Sequence, residues 1–256
     1  MLYKRNMEIG RGGFGKILVL DDDPSLVQKV NTSDVFCKDL KNEYELQLSA
    51  HEALVELRKK VLMSSFVEIP HPFDWKPFNG GKKCSYLMER IFPPIVGEKY
   101  LWHVYWSHED PHYDKTIAEA GSYIRGRYLG REKLLSLLPQ LSIPLLLRSM
   151  GLLIATVQFG SMQTGVDVEL VLGRRGDPEG PLMLWLIDFD KSQETKYLKE
   201  NDKIEQWIWT LDAEPYWPIS TDPGYEYFRE SYLDTIEFFE PDLVSIGENI
   251  LDNRLD

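Results

Sequence analysis

The sequence predicts an α+β fold of two lobes, a small β-rich N-terminal one and a larger helical C-terminal one, on three observations. The run Ile9-Gly10-Arg11-Gly12-Gly13-Phe14-Gly15-Lys16-Ile17 reads as a glycine-rich hairpin, with apolar and polar residues alternating around the glycines. Leu26-Val27-Gln28-Lys29 reads as a strand that ends on a lysine, and much later Leu186-Ile187-Asp188 closes a hydrophobic strand with an aspartate. A chain of 256 residues can enclose a sizeable core, as one large domain or as two lobes around a cleft. Its apolar share of 43% and charged share of 27% are ordinary for a folded globular protein.

The elements follow in order. Residues 1–30 carry the twisted hairpin pattern that would edge the small sheet. From Asp39 to Leu62 the residues Leu40, Tyr44, Leu46, Leu48, Leu54, Leu57 and Val61 recur at near-helical spacing. Acids come early in that stretch and Arg58-Lys59-Lys60 late, where the helix dipole favours them. Pro70, Pro72, Gly80 and Gly81 punctuate a loop, and Cys84 to Ile91 reads as a strand feeding a hinge that Pro93-Pro94 ends. The lobe boundary falls near residue 92, giving domains 1–92 and 93–256. Leu134–Leu138 and Ile143–Phe159 carry dense leucine and methionine at helical intervals, interrupted by Pro139 and Pro144. Val168–Leu172 and Leu182–Ile187 form a hairpin around the turn-prone octet Gly173 to Gly180. Tyr225 to Leu251 is an aromatic and acidic helical pattern broken at Pro241.

A glycine-rich hairpin, a lysine strand, a long helix and an aspartate-closed strand, in that order, describe the active cleft of a protein-kinase-like fold. Gly12 and Gly13 would let the backbone approach a ligand closely. Lys29 would pair with an acid on the following helix, Glu43 first and Glu45 second. In an extended chain Asp167 and Glu169 share a face while Val168, Leu170 and Leu172 point to the core, and Asp188 ends the partner strand. Such acids beside a lysine perturb one another's protonation, the usual condition of a site that moves protons or holds a cation.

The catalytic loop does not read as a kinase's. With Glu169 at the metal-binding asparagine position, Thr164 stands where the catalytic aspartate belongs, and a hydroxyl does not take a substrate proton as a carboxylate does. Gly160-Ser161-Met162-Gln163 supplies neither the histidine nor the arginine of that loop, and Asp188-Phe189-Asp190 lacks the glycine. Protein phosphorylation is not the expected chemistry.

The net charge of −12 disfavours a general nucleic-acid coat or an anionic-membrane binder. Cys37 and Cys84 are too few for a disulfide framework and have no zinc spacing, so a reducing cytoplasmic setting is expected. The stretch Ile143–Gly160, broken by Arg148, reads as too short and too charged for a bilayer span. His103, His108 and His112 lie in a tryptophan-rich loop without metal-ligand spacing, and no metal or cofactor is predicted. Arg125, Arg127, Arg131 and Lys133, with Tyr123 and Tyr128 interleaved, and Arg58-Lys59-Lys60 are the candidate positive track for RNA, with a solvated helix face as the alternative.

The segments Tyr86-Leu87-Met88-Glu89-Arg90-Ile91, Tyr128-Leu129-Gly130-Arg131, Asp167-Val168-Glu169-Leu170-Val171-Leu172-Gly173 and Leu186-Ile187-Asp188-Phe189 resemble a fungal family long carried as a domain of unknown function. That family includes the arginine-containing cyclodipeptide synthases of fungal secondary metabolism. The resemblance spans roughly residues 8–195, and other members carry an aspartate where Thr164 stands. It implies an enzyme that takes arginine from arginyl-tRNA and a second amino acid from its own aminoacyl-tRNA. The two are joined as a diketopiperazine without ATP at this step, and no stable protein partner is implied. Glu169 or Asp167 would bind the guanidinium or act as general base, with Lys29, Asp188, Glu43 and Thr164 around them. The competing expectations are a small-molecule phosphotransferase using Asp188 and Glu169 for magnesium, and a non-catalytic pseudokinase-type binding protein.

Overall fold

The computed structural model describes residues 7–11, 15–32, 37–60, 66–78, 80, 83–106, 126–197, 199–214 and 216–254. Gly12, Gly13 and Arg125 lie outside the described residues. The architecture is α+β, built on two mainly antiparallel sheets with helices packed against them. The smaller sheet has the order β1-β2-β3-β6-β5, formed by Met7–Arg11, Gly15–Val19, Leu26–Asn31, Lys83–Glu89 and Pro72–Phe78. The proline-marked stretch expected as a loop is thus the strand β5. It lies at the sheet's edge, where Pro72 and Pro77 withhold no N–H that an inner strand would need.

The larger sheet runs β4-β11-β10-β8-β9, from Val67–Glu68, Leu182–Ile187, Glu169–Arg175, Leu101–Tyr105 and Gly126–Gly130, and β7 (Ile91–Phe92) also pairs with β10. The expected hairpin is β10–β11, in register from Glu169 opposite Ile187 to Arg174 opposite Leu182. Both of its faces are covered. Leu170, Leu172, Leu184 and Leu186 enter the main core, while Val171, Met183 and Trp185 pack with Ile91, Leu101 and Ile187 on the other side. Strands buried on both faces read as continuous apolar runs, as Leu182 to Ile187 does.

Helix α1 (Cys37–Lys60) joins the two sheets. Leu40, Glu43, Leu46, Gln47, Ala50, Ala53, Leu54 and Leu57 are buried at helical spacing. Leu40 packs with Cys84 and Tyr86 of β6, whereas Leu46, Ala50, Leu54 and Leu57 join the main core with Val67 and Ile69. A boundary at residue 92 therefore does not follow the packing, since the second half of α1 and β4 belong with the larger sheet. Cys37 is disulfide-bonded to Cys84, which ties the start of α1 to β6. Two cysteines too few for a framework still make one cross-link, and cysteine content no longer argues for a reducing compartment.

After α2 (Arg131–Leu137), the core helix α3 (Ile143–Ala155) begins at Ser142, whose side chain accepts the Leu145 N–H, with Pro144 in the first turn. A single π-helical turn, Thr156–Gly160, continues it. Ile143–Gly160 is long and apolar enough to cross a membrane by composition, yet 72% of it is buried inside the fold, the property of a core helix. α4 (Glu200–Ala213), α5 (Tyr225–Phe239) and α6 (Val244–Asp252) complete the chain, and the helical tail breaks at Pro241 as expected.

α5 lies against α3 at Gly151, where an added Cβ would stand 2.3 Å from the Phe228 carbonyl oxygen. No rotamer relieves a clash with backbone, so Gly151→Ala is expected to destabilise the protein by more than about 2 kcal/mol, read as a lowered urea midpoint. A midpoint equal to that of the unaltered protein would contradict this packing.

Candidate functional site

Pairing within the smaller sheet puts a lysine where an acid can reach it. Lys29 stands opposite Ile17 of β2 on one side and Tyr86 of β6 on the other, and Val27 stands opposite Met88. Residues paired across strands share a face, so these side chains form one surface above the cleft. Glu43, on the buried stripe of α1, comes up to the same surface. Lys29 Nζ donates to Glu43 Oε1 at 2.5 Å and lies 3.6 Å from Asp188 Oδ1. The Tyr86 hydroxyl donates to Glu43 Oε1 at 3.1 Å. Burial works against the Lys29 charge, but Glu43, Tyr86 and Asp188 together hold it well above the usual lysine value. Burial raises the Glu43 carboxyl, against the pull of Lys29.

The opposite wall is acidic. Glu169 opens β10, and its carboxyl is pushed well above the usual range by burial, then by Asp188, Asp167, Asp190 and Glu214. Asp190 rises to about 7 through burial and through its neighbours Asp188 and Glu43. One oxygen of Asp190 and Glu43 Oε2 are buried without a hydrogen-bond partner among the described residues. Asp167 and Asp188 sit on left-handed backbone, with φ of 62° and 60°. Such strain in non-glycine residues is held in place by the surrounding fold, and it clusters where a side chain must be aimed.

Between these walls lies a cavity of about 220 Å³. Its polar lining includes Lys29, Glu43, Gln47, His103, Glu169 and Asp188. Ile9, Ile17, Val27, Met88, Leu101 and Ile187 supply apolar surface. Among the described residues no group of histidine, cysteine, aspartate and glutamate has the arrangement to hold a metal ion.

The predicted residues divide accordingly. Lys29, Glu43, Glu169 and Asp188 converge on one cavity. Asp167 does not share a strand face with Glu169, because its left-handed backbone breaks the alternation just before β10 begins. Its carboxylate instead meets Lys191 at 2.6 Å, at the surface. Thr164 is 1% exposed, its hydroxyl accepts the Gln193 N–H at 3.1 Å, and it does not line the cavity. The neighbouring Gln163 donates to the Leu46 carbonyl and accepts the Trp207 indole N–H at its own carbonyl, so this segment is pinned into the core.

Two of the basic candidates are held by buried or largely buried acids. Arg58 is held 3.0 Å from the fully buried Glu68, which also meets Arg175 at 3.0 Å, and Arg131 is 3.0 Å from Asp222. Lys59 and Lys60 are exposed beside Glu56, Lys133 is exposed on α2, and Arg127 belongs to β9. His103, assigned from sequence to a loop, is a buried residue of β8 facing the cavity. The signal available was the apolar run Leu101-Trp102-His103-Val104-Tyr105, which has the length and composition of a buried strand.

No protein-family profile matches the sequence, and no curated protein matches it. Among solved structures, one described as WaaP in complex with acyl carrier protein is similar with a TM-score of 0.42 and 10% sequence identity, covering 96% of this chain and 88% of that one.

The raised carboxyls have a thermodynamic consequence. In the unfolded chain Glu169, Glu43 and Asp190 lose their protons in the ordinary carboxyl range, at about pH 4. In the fold they hold them longer, Asp190 to about pH 7. Over that interval the folded state binds more protons than the unfolded chain, so stability falls as pH rises. The denaturant midpoint is expected to drop between about pH 5 and about pH 7, and Asp190→Asn to flatten the slope; a midpoint that climbs over this interval would be inconsistent with it.

Proposed function

We propose that the cleft is that of a protein-kinase-like fold turned to acyl transfer, forming an arginine-containing diketopiperazine from two aminoacyl-tRNAs without ATP or a metal at this step. The observation that carries this reading is the acidic wall of a cavity that also has apolar lining: Glu169 and Asp188 line it, with Asp190 adjoining. A guanidinium is matched by a carboxylate that accepts two parallel N–H bonds. The α-amine of one aminoacyl group attacks the ester carbonyl carbon of the other, the ester C–O bond breaks, and the released tRNA hydroxyl takes up a proton. The amine's proton goes to a carboxylate, which works best as a base when its proton affinity lies near the working pH. The raised Glu169 and Asp190 suit that role. Lys29, fixed by Glu43, orients Asp188 and supports charge developing on the carbonyl oxygen. The free α-amine of the dipeptidyl ester then attacks its own ester carbonyl carbon; the remaining ester C–O bond breaks, the ring closes, and the second tRNA hydroxyl leaves with the proton the amine gives up. Exposed Lys59, Lys60 and Lys133, with Arg125 and Arg127, remain the proposed tRNA contacts.

The setting this reading implies is cytoplasmic. There the Cys37–Cys84 bond would be reduced, leaving the packing of Leu40 against Tyr86 to hold α1 on β6. A phosphotransferase is the second reading, favoured by the Lys29–Glu43 pair beside Asp188. Against it, the residue in the base's position, Thr164, is buried and hydrogen-bonded.

Incubation of the purified protein with arginyl-tRNA and a mixture of other aminoacyl-tRNAs is expected to yield a diketopiperazine mass. No such product, together with consumption of magnesium ATP, would support the phosphotransferase instead. Glu169→Gln is expected to lower product formation at least about 100-fold while leaving the melting temperature close to that of the unaltered protein. Wild-type turnover in that variant would remove Glu169 from the chemistry.

A further inference from the structure

His103 belongs to neither the proposed acid cluster nor the lysine pair, yet it faces the same cavity and is 3% exposed. Strand β8 runs antiparallel to β10 with His103 opposite Val171. The imidazole therefore leaves the sheet on the same side as Val171 and, two residues earlier, Glu169. Its plane is set by Tyr128 of β9, whose ring lies 4.5 Å away at 27°. Nδ1 then stands 3.4 Å from Glu169 Oε2 and has no hydrogen-bond partner among the described residues. A buried imidazole nitrogen left without a partner is costly, and the nearby acidic oxygen explains what it is held for.

We propose that His103 is a positioning residue for Glu169: its Nδ1–H donates to Glu169 Oε2 once that carboxyl ionises and holds the carboxylate in one orientation. This rests on the proposed function only in taking Glu169 as the reacting acid or guanidinium acceptor. Burial pushes the His103 imidazole down to about 4, so at neutral pH the ring is uncharged and carries a single N–H. Around Glu169 the other groups oppose its charge: Asp188 at the end of β11, Asp190 beyond it, Asp167 in the turn before β10, and Glu214 after α4. The phenols of Tyr128 and Tyr216 are buried beside it and are themselves held above their ordinary value, partly by Glu169. Lys29 is engaged with Glu43 and Asp188. A neutral donor that stabilises the ionised form without adding a charge is the contribution left to His103. A hydrogen bond to a carboxylate is shorter and stronger than one to a carboxylic acid, so the contact tightens as the proton leaves.

The test follows the ionisation of Glu169 directly, by carbon NMR of protein labelled at the glutamate carboxyl, with the signal assigned through Glu169→Gln. His103→Phe keeps a ring against Tyr128 and removes the donor; it is expected to raise the Glu169 midpoint by about one pH unit, a tenfold change in the ionisation constant. His103→Asn, which places an amide N–H near the position of Nδ1, is expected to return the midpoint most of the way. Should the phenylalanine variant fail to fold, His103→Leu carries the same expectation. A midpoint unmoved by loss of the donor, or moved equally by asparagine and phenylalanine, would overturn the assignment and leave His103 a packing residue. In the aminoacyl-tRNA assay the phenylalanine variant is expected to lose kcat with KM retained, and asparagine to restore part of it. A shifted midpoint in a protein that makes no diketopiperazine would uphold the role of His103 and sink the cyclodipeptide reading, so the two failures are distinguishable.

Discussion

Lys29 and Glu43 are both nearly inaccessible to water, and neither could be buried alone without a desolvation cost of several kcal/mol. Each therefore dictates where the other's element sits. β3 must present Lys29 on the face that α1 covers, and α1 must turn its Glu43 stripe towards that face. The Tyr86 hydroxyl closes the arrangement, donating to the Glu43 carboxylate and lying within reach of the Gln47 amide oxygen. With the pair fixed, Lys29 is left 3.6 Å from Asp188, which directly follows β11 of the other sheet. One wall of the cavity between the sheets is thus fixed by a buried ion pair and the helix that carries half of it.

That helix does two jobs because its buried stripe changes partners along its length. Near Cys37 it lies on β6; beyond Leu46 it is part of the main core and, through the Leu46 carbonyl, holds the side chain of Gln163. The Gln163-Thr164 segment is therefore clamped from one side by α1 and from the other by Gln193 and Trp207. A loop so engaged has no free side chain to offer at Thr164. Glu169 and Asp188 line the cavity and Asp190 adjoins it, and burial together with the neighbouring acids raises the carboxyls of Glu169 and Asp190.

The doubly covered β10–β11 hairpin explains how such an unfavourable cluster is tolerated. Its aliphatic side chains, with Trp185, anchor both strands in apolar surroundings, and the acids are placed only at the strand ends. Left-handed backbone at Asp167 and Asp188 then turns the chain sharply at each edge. Hydrophobic burial along the strands stabilises a geometry that electrostatics at their ends opposes.

Much of this was legible in the amino-acid order, where the governing forces are local. The strand pattern around Lys29, the 3.6-residue stripe of α1 and the β10–β11 hairpin each follow from side-chain periodicity, and their order along the chain made Lys29, Glu43, Glu169 and Asp188 candidates for one cleft. Strand β5, disguised by Pro72 and Pro77, was tolerated only because the sheet ends there. β8 was hidden in a tryptophan-rich stretch, and with it the place of His103. Asp167 looked like a partner of Glu169 because alternation was assumed to continue through a residue whose backbone turns left-handed. Whether Arg58 and Arg131 are free or spent on Glu68 and Asp222 depends on residues far away in the chain. Periodicity reports which way a side chain faces its own element; which neighbour it then meets, and whether water remains beside it, is decided only when the elements pack.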